Sequence, residues 1–123
     1  MRIAVMGAGS TGGYFGGMLS RGGHDVNLVA RGAHLEAIKS KGLRVVRDDE
    51  EFTAQCRATD DPAEIGPVDL VLLCVKTYQN ETAIPLMVPL VGADTTVLCL
   101  QNGVDSYLTA MELLGEEAVL PGA

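Results

Sequence analysis

The residues best suited to chemistry stand at the start of the chain. Gly7-Ala8-Gly9-Ser10-Thr11-Gly12 has the spacing G-x-G-x-x-G and follows directly on Arg2-Ile3-Ala4-Val5-Met6, a short and mostly apolar run. Ordinary glycine-rich turns share that spacing, but between a strand and a helix each glycine acquires a task. Gly7 permits the tight turn off the strand, Gly9 keeps a Cβ out of the path of a pyrophosphate, and Gly12 lets the helix pack close to the sheet. The helix N-terminus adds a partial positive charge and free N–H groups. The chemistry implied is the capture of an anionic dinucleotide.

Three more positions qualify by where they fall. Arg31 follows the apolar run Val26-Asn27-Leu28-Val29-Ala30, about where an NAD-binding domain places an acid for the ribose hydroxyls. With no acid there, a guanidinium is free to grip a 2′-phosphate through charge-assisted hydrogen bonds, so Arg31 is expected to favour NADP over NAD. Read without a ligand, it is a surface arginine at a helix start. Lys76 ends the run Val68 to Val75. Its position suits either the nicotinamide half of a cofactor or a lysine that reaches past apolar neighbours to water. Asn102, in Gln101-Asn102-Gly103-Val104, offers an amide that could orient a ribose or a carbonyl substrate. Asn-Gly is equally a common turn pair.

These residues need a scaffold. The spacing predicts a helix over 11–21, a strand over 26–30, a short helix over 33–40, and a strand at 43–46 with a return strand over 52–56. A connector with one helical turn over 60–67 comes next, and then a buried strand over 68–75. Residues 77–91 read as helix interrupted by Pro85 and Pro89, 95–100 as strand, 105–114 as helix, and 118–120 as the start of a last strand. This alternation implies a Rossmann-type, doubly wound α/β fold, a mostly parallel sheet with helices on both faces. Ligands of such sheets bind beyond the carboxyl ends of the strands, where Arg31, Lys76 and Asn102 fall. Gly13, Gly16 and Gly17 each cost a helix about 1 kcal/mol relative to alanine. Close approach of the sheet on one side and of the cofactor on the other would account for them.

Composition narrows the classes. The chain has 123 residues, 47% hydrophobic and 20% charged, which suits one globular domain spanning 1–123. A net charge of −7 argues against a nucleic-acid or membrane-surface partner. All nine Lys and Arg lie at or before Lys76, so an anionic cofactor must be held by the first part of the chain. No apolar run is long enough to span a membrane, the N-terminal run is too short for a secretory signal, and a cytoplasmic location is expected. Cys56, Cys74 and Cys99 lack metal or redox spacing, and Cys74 and Cys99, inside apolar strand runs, read as small core residues. Asp48-Asp49-Glu50-Glu51 reads as a solvated turn, without the ligand alternation of a calcium loop. No metal site is expected.

Taken together, Gly7-Ala8-Gly9-Ser10-Thr11-Gly12-Gly13-Tyr14, Arg31, Val75-Lys76-Thr77 and Leu100-Gln101-Asn102-Gly103-Val104 resemble the ketopantoate reductase (2-dehydropantoate 2-reductase) family. The resemblance runs from Met1 to about Leu120, and its V-K-T and Q-N-G pieces are more specific than the glycine loop. It implies NADPH-dependent hydride transfer to the C2 carbonyl of ketopantoate, giving pantoate for pantothenate and coenzyme A synthesis. It implies pyrophosphate binding at Gly7, Gly9 and Gly12, with Ala8, Ser10 and Thr11 in the same loop, and 2′-phosphate binding at Arg31. Lys76 then lies on the nicotinamide side in a supporting catalytic role, and Asn102 orients cofactor and substrate. Family members continue into a helical second domain that supplies the general acid. Residues 1–123 are therefore expected to bind NADP(H) without useful turnover, and to self-associate through the face that domain would cover. Two other readings stay open: a reductase of a different 2-keto acid, and a free-standing nucleotide-binding or sensor module.

Overall fold

Ile3-Ala4-Val5-Met6 is buried on both sides, which only the centre of a parallel sheet provides. The structure is a computed structural model that describes residues 1–47, 50–75, 80–100 and 119–121. Strand β1 (Arg2–Met6) is flanked by β2 (Asp25–Val29) and β6 (Val68–Leu73), both parallel to it. β5 (Arg57–Thr59) extends the sheet beyond β2, while β7 (Val91–Cys99) and β8 (Val119–Pro121) extend it beyond β6. The order β5-β2-β1-β6-β7-β8, parallel throughout, is a doubly wound arrangement. The chain winds outward from β1 to β5, then crosses back to β6. The gap between β1 and β6 is thus the switch point at which such sheets open a crevice.

Successive β1 side chains alternate between two cores. Ile3 and Val5 join the cluster under α1 (Ser10–Arg21) and α2 (Gly32–Lys41). Ala4 and Met6 join the cluster under α3 (Asn80–Leu86) and the short 3-10 turn Val88–Leu90 that follows it. Helices therefore cover both faces, as the alternation predicted. Pro85 lies inside α3, and Pro89 inside the 3-10 turn. No described helix is long and apolar enough to cross a membrane.

The excursion between α2 and β5 is an antiparallel hairpin, β3 (Leu43–Arg47) and β4 (Glu50–Ala54), packed on α1. It corrects the account of the helix glycines. A Cβ on Gly16 would crowd Leu28 at 3.0 Å and Val5 at 3.4 Å, so that side does face the sheet. On Gly17 it would run into Val45, and on Gly13 it would touch Leu43 at 3.6 Å. The second partner of α1 is the hairpin, not a cofactor. The acidic run is also more structured than expected. Glu50 pairs with Arg21 at 2.5 Å and Glu51 with Arg44 at 2.6 Å. Arg21 also lies over the Phe52 ring, 4.6 Å from its centroid, which fastens the end of α1 to the hairpin. Asp48 and Asp49 lie outside the described residues, as does the helix expected over 105–114.

β7 begins four residues before the Thr95 start that the sequence suggested. Gly92-Ala93-Asp94 reads as a turn but is absorbed by an irregularity, since Val68 pairs with Val91 whereas Leu70 pairs with Thr96. The buried Thr95 hydroxyl holds this detour: Oγ1 donates to the Val68 carbonyl at 2.5 Å and accepts the Gly92 N–H at 2.8 Å.

Candidate functional site

At the carboxyl ends of β1, β2, β5 and β6 lies a cleft of about 720 Å³, within the ~300–1,000 Å³ usual for small-molecule and cofactor sites. Its floor is the glycine loop. Gly7 adopts φ +96°, a conformation other residues rarely take, and its N–H donates to the Val29 carbonyl at 3.1 Å. A Cβ on Gly7 would lie 2.9 Å from Val75 Cγ1 and 3.0 Å from Val75 N. On Gly12 it would strike the Gly7 carbonyl oxygen and come within 3.1 Å of Cys74 Cβ. These two glycines close the loop onto the start of α1 and the end of β6. Gly9 differs, because a Cβ there meets nothing within 4 Å.

Gly9 is the N-cap of α1, and its carbonyl accepts the Gly13 N–H at 2.7 Å. It has no side chain with which to satisfy the first-turn N–H groups, and no acid stands in that turn. The helix end is thus left with donor capacity and partial positive charge toward the cleft, a ready environment for a phosphate. Ala8, buried beneath the loop, lines the cleft along with Gly7 and Gly9.

The opposite wall is built differently. Arg31 is the exposed N-cap residue of α2 and makes no capping hydrogen bond with its side chain. Among the described residues its guanidinium forms no ion pair, and it lines the cleft beside His34 from the same helix turn. His34 is exposed on the first turn of α2.

Asp60 also lines this wall, and the sequence reading missed it as a site residue. It follows β5, whose Thr59 pairs with Val29, and the Ala30 N–H donates to the Thr59 carbonyl at 3.0 Å. That pairing sets Asp60 beside Ala30-Arg31. Its neighbour Asp61 is committed to structure: Oδ1 accepts the Ala63 N–H at 3.0 Å and caps the 3-10 turn Pro62–Glu64. Asp60 has no hydrogen-bond or ion-pair partner among the described residues and is exposed. The available signal was Asp-Asp-Pro, in which the second acid caps a turn and frees the first.

On the far side, Cys74 and Val75 bring the end of β6 to the cleft, and Thr82, Ala83 and Leu86 of α3 close it. Burial, with a smaller contribution from Cys99, pushes the Cys74 thiol up to about 12, so it stays protonated and is no nucleophile near neutral pH. Lys76 and Asn102 lie outside the described residues. β6 and β7, which lead to them, run parallel with Leu73 paired to Cys99, and the Leu100 N–H donates to the Leu73 carbonyl at 2.9 Å.

A family model for ketopantoate reductase PanE/ApbA matches residues 3–123. The chain is 44% identical to the 2-dehydropantoate 2-reductase of Mesorhizobium japonicum over 85% of its own length and 32% of that protein. It is 39% identical to the 2-dehydropantoate 2-reductase of Lactococcus lactis subsp. lactis, over 99% of its length and 40% of the relative's. The crystal structure of 2-dehydropantoate 2-reductase from Geobacter metallireducens matches with a TM-score of 0.93 at 40% identity, over 100% of this chain and 41% of that one. A D-mandelate dehydrogenase solved with NADH and anilino(oxo)acetate matches with a TM-score of 0.90 at 32% identity, over 99% of this chain and 40% of that one. The chain spans about a third to two fifths of the length of these proteins.

Proposed function

The chain belongs to the ketopantoate reductase PanE/ApbA family, and on that premise we propose that residues 1–123 form the NADP(H)-binding domain of a reductase that converts ketopantoate to pantoate. The observation that carries this reading is the continuity of one cleft from the glycine loop to Arg31 on one side and to the end of β6 on the other. Its floor has the free space at Gly9 that an approaching pyrophosphate needs. The N–H groups at the start of α1, from Ser10 to Gly12, take the pyrophosphate oxygens, and Arg31 takes the 2′-phosphate. Val75 and Cys74 border the nicotinamide end.

When bound, the reduced nicotinamide supplies the hydride for the C2 carbonyl of the keto acid. We assign Lys76 to stabilising charge beside that carbonyl, and Asn102 to orienting cofactor and substrate with its amide. Both assignments follow the family pattern around them in the sequence. The general acid that protonates the new alkoxide is placed outside residues 1–123. Positioning and charge stabilisation act as a set, so this domain alone binds cofactor without useful turnover.

The similarity to a D-mandelate dehydrogenase favours a second reading, with a different 2-keto acid as substrate. A panel of 2-keto acids assayed with the full-length protein separates the two. Arg31→Ala tests the cofactor assignment. Loss of charge-assisted hydrogen bonds worth about 1.5–3 kcal/mol each should weaken NADPH binding roughly tenfold to a hundredfold in a fluorescence titration. NADH binding should change little, and an equal loss for both dinucleotides would refute phosphate selection by Arg31.

A further inference from the structure

The wall that carries Arg31 also carries a carboxylate, and a site built only to hold a 2′-phosphate gains nothing from one. An acid beside a phosphate repels it, whereas the same acid accepts hydrogen bonds from unphosphorylated ribose hydroxyls. Asp60 reaches this wall from a strand that the sequence did not reveal, parallel to β2 and one step past the Val29–Thr59 pair. No described residue uses its side chain: Asp61 caps the adjoining turn, and the Thr59 hydroxyl donates to Glu64 at 2.9 Å. Arg31 likewise has no ion-pair partner among the described residues, so the two opposite charges line one cleft without neutralising each other by contact.

We propose that Asp60 is a second specificity-determining residue of the cleft, a ribose-hydroxyl acceptor set against Arg31, so that the adenosine end admits unphosphorylated as well as 2′-phosphorylated dinucleotide. The proposal rests on the dinucleotide reading given above. Arg31 favours the phosphate, Asp60 favours the free hydroxyls, and the preference between cofactors is set by the balance of the two. His34, from the first turn of α2, and Cys74, at the end of β6, are the other titratable side chains besides Arg31 and Asp60 among the described residues lining the cleft.

The test is a set of titrations of the protein, Asp60→Ala and Asp60→Asn with NADH and with NADPH. Asp60→Ala should weaken NADH about tenfold by loss of a charged acceptor, and should leave NADPH unchanged or tighter. Asp60→Asn keeps an acceptor but removes the charge, so it should tighten NADPH while costing NADH less than the alanine variant does. Thermal melts of both variants should match the parent, because the side chain is exposed and has no partner among the described residues. A ratio of NADH to NADPH dissociation constants that stays within about twofold of the parent in both variants would overturn the role of Asp60, even with dinucleotide binding intact. Failure of the parent protein to bind either dinucleotide would overturn the underlying reading as well.

Discussion

The two walls of the cleft are made by opposite means. Around the glycine loop, position is enforced by backbone: Gly7 at φ +96° and Gly12 against the Gly7 carbonyl leave no room for a side chain. Along the β2–β5 wall, Arg31 and Asp60 are side chains with no partners among the described residues, free to answer to a ligand. The glycine loop makes a shape, and under the proposed reading the β2–β5 wall makes a choice between cofactors. A site split this way would keep one fold while cofactor preference shifts through exposed charges.

The largest effect expected from breaking that division is at Gly12. Gly12→Ala forces a Cβ into the Gly7 carbonyl, and overpacking of this sort costs about 1–3 kcal/mol or more. Denaturant unfolding should show the loss, and dinucleotide binding should fall with it. Next comes Gly9→Ala, which sharpens the comparison because that Cβ meets no protein atom within 4 Å. Stability should stay within about 0.5 kcal/mol of the parent, while dinucleotide affinity falls about tenfold or more. Loss of stability equal to that of Gly12→Ala would show that the loop as a whole is structural.

The smallest effect concerns Cys74, at the end of β6. Partial burial pushes its thiol in the folded chain up from the ordinary 9.0 to about 12. The unfolded chain therefore releases this proton first. The associated stability is complete below pH 9.0 and is lost as pH rises from there toward about 12. Cys74→Ala should flatten that alkaline loss in urea unfolding, and alkylation of the native thiol should be slow at neutral pH. Rapid alkylation without unfolding would contradict the burial.

Much of the scaffold was legible because its signals are local. The two-sided apolar runs of β1 and β6, the prolines at the end of α3 and in the 3-10 turn after it, and the alternation of elements all act over a few residues. The glycines of α1 do signal close approach, but the sequence does not reveal the neighbour of Gly13 and Gly17. Leu43 and Val45 reach them from a hairpin whose placement depends on tertiary packing. The strand start at Val91 was missed because Gly92-Ala93-Asp94 looks like a turn until the Thr95 hydroxyl bonds across to Val68.

What the sequence determined by itself is the loop: three glycines between an apolar run and a helix. The absence of a Cβ and the freedom of φ are properties of those residues wherever they sit. It also determined that an arginine, and no acid, ends the second strand. Only the tertiary structure decided that an acid stands there after all. Asp60 lies twenty-nine positions beyond Arg31 in the chain, and a three-residue strand carries too little pattern to announce itself. The hydrogen-bonded pairing of β5 with β2 brings the two charges into one cleft.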